Sequence, residues 1–223
     1  MNCQNVRASR GAQGTMMITI LTIEREYGSG GGEIARLIAD TLGWKLWDQL
    51  LTEEIAKLGN CSKAAVEVRE EKTDPLYYRL VKSFLRGSYE GSINAHKLNV
   101  VDSESILRFT QPVVQRAAQA GKSVIVGRGS QHFLRDRQDT LRIFLYAPRE
   151  NKVRRLIARG KSEEEAHHLV DTVDRERADF IQKYFHLEWP HRTIYHAMFN
   201  TALGDEAVVD MILNLMKAVD AAG

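Results

Sequence analysis

Gly28-Ser29-Gly30-Gly31-Gly32 is the densest run of glycine in the chain. Met17-Ile18-Thr19-Ile20-Leu21-Thr22-Ile23 leads into it with the pattern of a buried strand. Ile34, Leu37, Ile38, Thr41 and Leu42 follow on one helix face. Strand, glycine turn and helix together let backbone N–H groups close around an anion. The helix N-terminus adds unpaired donors and a partial positive charge. Against the template G-x-x-x-x-G-K-[ST], with Gly30 as the second glycine, the first glycine falls at Arg25, the lysine at Gly31 and the hydroxyl at Gly32. The shape of a phosphate loop is kept without its lysine or its hydroxyl. The competing reading is a plain strand-to-helix turn that binds nothing.

Three other residues stand where chemistry is expected. Asp48 ends the short strand Trp44-Lys45-Leu46-Trp47, and ligands of an open parallel sheet sit beyond that end. It reads as a ligand contact, as the N-cap of the helix through Leu51, Ile55 and Leu58, or as both. Arg128 lies between Gly127 and Gly129, directly after the apolar strand Ser123-Val124-Ile125-Val126. It reads as an anion contact or as a surface arginine in a loop. Arg177 falls inside the stripe Ala166, Leu169, Val170, Val173, Phe180, Ile181 and Tyr184, while Arg175 points to the other side. A guanidinium on an apolar face requires an anion. The candidates are the carboxylates Asp174 and Asp48, or a phosphate.

The elements that must position these residues repeat in βα order. A helix from about Ser103 to Ala120 precedes the strand at Ser123. Leu141 to Tyr146 forms the next strand, and Pro148 opens a helix with Lys152, Arg154, Arg155 and Arg159. That basic run reads as a solvated face with at most an edge contact to nucleotide. Ser162 caps the helix that carries Glu163, Glu164 and Glu165 in its first turn. Ala197-Met198-Phe199 is the last strand, and a helix with Val208, Val209, Ile212, Leu215, Met216 and Val219 closes the chain. The order implies an α/β fold with a parallel sheet of about five strands. Residues 1–16 read as a flexible tail and 17–223 as a single domain. The irregular stretch at about 61–101, with Tyr77, Tyr78, Phe84 and Tyr89, reads as an insert.

Composition excludes several classes. An apolar share of 43% suits a sizeable core. A net charge of +2 gives no ground for a nucleic-acid or membrane partner. Cys3 and Cys61 are too few for a disulfide framework, which fits a reducing, cytoplasmic setting. No apolar run approaches the roughly 20 residues of a membrane span. His167, His168, His186, His191 and His196 lack a zinc-like spacing with cysteine.

From Ile18 to about Val219 the chain resembles the cytidylate kinase-like family of P-loop nucleoside monophosphate kinases. The resemblance is carried by Arg25-Glu26-Tyr27-Gly28-Ser29-Gly30-Gly31, Leu46-Trp47-Asp48, Val126-Gly127-Arg128-Gly129, Asp174-Arg175-Glu176-Arg177 and Asn200-Thr201. It implies a P-loop nucleoside triphosphate hydrolase-like three-layer sandwich that uses ATP and Mg2+. Gly28, Ser29, Gly30, Gly31 and Gly32 would hold the donor phosphates. Asp48 and Arg128 would hold the acceptor. Arg25, Arg175 and Arg177 would stabilise the transferring group, the last two from a lid at about 161–192. The metal ligands stay unassigned, with Asp48 and Glu24 as candidates. The acceptor implied is a small-molecule nucleotide such as CMP. The chain departs from its relatives at Glu24, usually Ser, and at Gly32, commonly Arg. The missing loop cation keeps a second reading open, a nucleotide-binding regulatory protein without transfer activity.

Overall fold

A strand that is apolar along its whole length must be covered on both faces, and helices do this in a parallel sheet. The computed structural model describes residues 17–51, 53–55 and 103–222. The tail at 1–16, Leu58 and the insert at about 61–101 lie outside the described residues. Strands β1 (Ile20–Arg25), β2 (Lys45–Trp47), β3 (Ser123–Val126), β4 (Thr140–Tyr146) and β5 (Ala197–Asn200) form one sheet in the order β2-β3-β1-β4-β5. All four ladders are parallel. β1 is central. Its register pairs Ile23 with Val126 on one side and Arg25 with Leu145 on the other. It therefore runs two residues past Ile23 and carries Glu24 and Arg25 to the edge of the core.

The helices are α1 (Gly31–Leu42), α2 (Ser103–Gln119), α3 (Ser130–Phe133), α4 (Arg149–Ala158), α5 (Glu163–Phe185) and α6 (Asp205–Ala222). Side chains alternate along a strand, and β1 shows it. Leu21 and Ile23 pack with Ile34 and Ile38 of α1 and with Val208 and Ile212 of α6. Ile20 packs on the opposite face with Val114 of α2 and with Phe180 and Ile181 of α5. The result is three layers. Truncating a fully buried ring such as Phe180 to alanine should cost about 3–5 kcal/mol.

A third apolar cluster joins α4 to α5. Tyr27, Val153, Leu156, Ala166, Val170 and Val173 bury together. The first half of α5 therefore packs on α4 and the glycine loop, while its end packs on the main core. Ser162 caps α5, accepting the Glu165 N–H at 3.1 Å. The short helix α3, straight after Arg128-Gly129, has no periodic signal in the sequence. Among the described residues no helix is long and apolar enough to cross a membrane.

Candidate active site

The glycine loop joins β1 to α1. Gly28 has φ 79° and Gly30 has φ 82°, conformations that side chains with a Cβ adopt poorly. Space is short as well. A Cβ at Gly30 would collide with the Arg155 guanidinium, and one at Gly31 would lie 2.8 Å from Cβ and Cγ of Arg25. The stem of Arg25 therefore leaves no room for a side chain at the template's lysine position. The loop is pinned from below: the Thr201 hydroxyl donates to the Ser29 carbonyl at 2.6 Å, and the Ser29 hydroxyl donates to the Glu26 carbonyl at 2.8 Å. Gly31, Gly32 and Glu33 open α1, where N–H groups have no intrahelical acceptor. An open pocket lies against this turn, lined by Gly28, Gly30, Gly32, Arg25, Arg159 and Arg177 among others.

Cations missing from the loop arrive from α4. Lys152 Nζ bonds Glu26 at 2.9 Å and Asp174 at 3.3 Å. Arg155 makes a bidentate pair with Asp205 at 2.7 and 2.8 Å, which raises its pKa. Arg159 pairs with Glu33 at 2.5 Å. A purely solvated face is thus the wrong reading for these three. Their spacing of three and then four residues already places them on one side of a helix, and Arg154, off that side, is exposed.

Arg25, Arg128 and Arg177 are all buried. Burial is the largest influence on Arg25 and pulls its pKa down, with Arg177 next in the same direction, while Asp48, Glu24 and Asp174 oppose. Arg128 is lowered to about 9, by burial first and then by Arg25, with Asp48 opposing. Three guanidiniums and three carboxylates therefore share one field at the C-terminal ends of β1, β2 and β3. Arg128 is held there in a left-handed conformation, φ 60°, between Gly127 at 64° and Gly129 at 66°. Both glycines are required. A Cβ at Gly127 would collide with Arg25 Nη1, and one at Gly129 would lie 2.9 Å from the Phe185 ring. Asp48 is buried and its charge acts on Arg25 and Arg128, and it also stands before a helical turn at 49–51.

Arg177 donates to the Arg25 carbonyl at 2.9 Å and to Asp174 at 3.1 Å, near the Tyr27 ring. Of the anions open to it from the sequence, the structure supplies Asp174. Arg175 is not brought to the site. It is exposed on the outer flank of α5, where it acts on Asp171. Residues two apart on a helix face nearly opposite ways, about 200°, so Arg175 and Arg177 cannot both face the loop. Glu24 is also committed. Its Oε1 accepts the Arg25 N–H at 3.2 Å and its Oε2 accepts Gln131 Nε2 at 2.9 Å. Gln131 carries no signal in the sequence, because the four residues of α3 are too few to show a pattern. Among the described residues no group of three or more His, Cys, Asp or Glu is placed to hold a metal.

A sequence profile matches residues 20–203, from the first residue of β1 through the turn after β5. The chain belongs to the cytidylate kinase-like family. No curated protein matches this family member. Solved structures do. An uncharacterized protein from Eubacterium ventriosum ATCC 27560 is similar with a TM-score of 0.63 at 20% identity, over 89% of this chain and 98% of the other. Shikimate kinase from Bacteroides thetaiotaomicron gives 0.50 at 16%, over 89% and 98%. Shikimate kinase from Acinetobacter baumannii in complex with shikimate gives 0.50 at 16%, over 91% and 95%. At these identities the likeness is one of fold, the P-loop kinase sandwich, and this cytidylate kinase-like chain has that fold.

Proposed function

We propose that this chain is an ATP-dependent phosphotransferase whose acceptor is a nucleoside monophosphate such as CMP. One observation carries the reading. Arg25, Arg128 and Arg177 are buried together beside the glycine loop, at the strand ends where an open parallel sheet takes its ligands. Phosphoryl transfer needs little covalent help from a protein. It needs the reactants aligned and cations placed where negative charge develops.

In this reading the N–H groups of Gly28 to Gly32 take the β-phosphate of ATP. Arg159 and Arg155 replace the lost loop cation from the flank. Arg25 and Arg177 meet the transferring group, and Arg128 with Asp48 holds the acceptor phosphate. Arg175 has no part. Residues 161–192 act as the lid and 61–101 as the acceptor insert. Mg2+ neutralises donor phosphates when bound. Asp48 and Glu24 are the candidate carboxylates to reach it, through water. The regulatory reading keeps one point in its favour, that each loop-facing cation of α4 is already paired with an acid.

The test is a panel of nucleoside monophosphates and small alcohols with ATP and Mg2+, read by ADP formation. Turnover with a nucleoside monophosphate supports the proposal. Tight ATP binding with no turnover on any acceptor moves the reading to the regulatory one.

A further inference from the structure

We infer that Glu24 is a positioning residue for Arg25: its buried carboxylate, braced by the Gln131 amide, fixes the direction in which the Arg25 guanidinium faces the phosphate-transfer site. The inference rests on the phosphotransferase reading above. Glu24 and Arg25 are neighbours on β1, and successive strand residues point to opposite faces. Glu24 points to the α3 side, where Oε2 takes Gln131 Nε2 at 2.9 Å. Arg25 leaves on the α1 side, with its Cβ against Gly31. The two charges meet only because the guanidinium turns back over the end of β1. Gly127 leaves the room for that turn, since a Cβ there would strike Arg25 Nη1. Nη1 then lies 3.6 Å from Glu24 Oε1, which also accepts the Arg25 backbone N–H.

Both carboxylate oxygens are thus engaged with protein donors, and the side chain cannot rotate without breaking a bond to each. Glu24 is only 5% exposed. Its pull on the guanidinium is little screened at that depth. It acts on Arg128 as well, opposing the repulsion between the two arginines. A carboxylate near a phosphate site weakens anion binding in general. Its presence here is explained if it holds like-charged guanidiniums in a fixed arrangement before the phosphates arrive. A donor displaced by about 1 Å loses on the order of 10²-fold in rate while still binding the ground state.

Glu24→Gln keeps the shape and one acceptor oxygen, puts an amide donor in place of the other, and removes the charge. The expected result is a fall in kcat of roughly 10²-fold, with KM for ATP unchanged or lowered. In ligand-free protein the ¹⁵N resonance of Arg25 Nε should broaden or move to the position of an unconstrained guanidinium. That readout needs no turnover, so it judges the inference separately from the phosphotransferase reading, which fails only if the unaltered protein phosphorylates nothing. An unchanged Arg25 resonance overturns the inference, as does an unchanged kcat in a protein that is active. A rate loss reversed by raising Mg2+ also overturns it, because Glu24 would then be a metal ligand. If Glu24→Gln does not fold, Gln131→Met removes the brace while leaving the Glu24 charge in place and must shift the same resonance; no shift there overturns the inference.

Discussion

The backbone N–H of Tyr27 donates to Asp174 Oδ1 at 2.8 Å, so a carboxylate from the middle of α5 rests on the glycine loop. The same oxygen takes Arg177 at 3.1 Å, and Oδ2 takes Lys152 at 3.3 Å. Three donors converge on one internal anion, as they would on a phosphate oxygen. Asp174→Asn keeps an acceptor for Tyr27 and removes the competing charge. It should tighten ATP binding by roughly fivefold, the order of one partly screened ion pair. Calorimetry decides; weaker binding would mean that Asp174 shapes the binding-competent loop.

Gly30→Ala should abolish ATP binding and leave the fold in place. The new Cβ meets φ 82° and the Arg155 guanidinium, and Arg155 must leave Asp205 to make room. Circular dichroism checks the fold and calorimetry the binding. Retained affinity would reduce the glycine run to a turn.

Arg177→Met tests the one guanidinium inside an apolar stripe. Methionine fills the stem volume, but the Arg25 carbonyl and Asp174 lose a charged donor. The structure therefore predicts a loss of about 1–3 kcal/mol, the range for a stranded buried acceptor, more than a simple volume-conserving swap. Turnover of the folded variant should fall by about 10²-fold or more. Thermal melts and steady-state rates on one preparation separate these effects. A large stability loss with unchanged turnover would make Arg177 structural.

Arg128→Gly should separate strain from binding. The residue sits at φ 60°, where glycine carries no Cβ penalty, a relief of about 1 kcal/mol. The melting temperature should therefore change little, while the KM of the acceptor rises far more than that of ATP. Equal rises in both would assign Arg128 to the donor side.

His132 sets an acid limit on stability. Its ring stacks on Phe185 at 4.3 Å and its pKa is lowered to about 4, by burial first and then by Arg135. The ordinary value is 6.5, so between those two values the unfolded chain binds more protons. This contribution is present above about pH 6.5 and is lost as pH falls through 4, up to about 3 kcal/mol in all. His132→Leu should flatten the difference between urea midpoints at pH 7 and pH 5. An equal slope in both proteins would place the acid sensitivity elsewhere.

Much of this was legible without coordinates, because it depends on neighbours in the chain. Apolar runs, glycines at turns and the Ser162 cap act over a few residues, so the βα order, the parallel sheet and the α5 stripe followed from spacing. The glycine loop, Asp48 and Arg128 stand out in the sequence because strand ends and turns are marked locally. The family followed from short motifs in the right order. What tertiary structure alone decided concerns which charge meets which. That the Arg25 stem closes off the lysine position depends on how α1 packs on β1, and that Lys152, Arg155 and Arg159 turn to the loop and Asp174 rather than Asp48 meets Arg177 depends on how α4 and α5 pack. Glu24 and Gln131, 107 positions apart, share a hydrogen bond. No local pattern records such a pairing, because it exists only once β1 and β3 lie side by side.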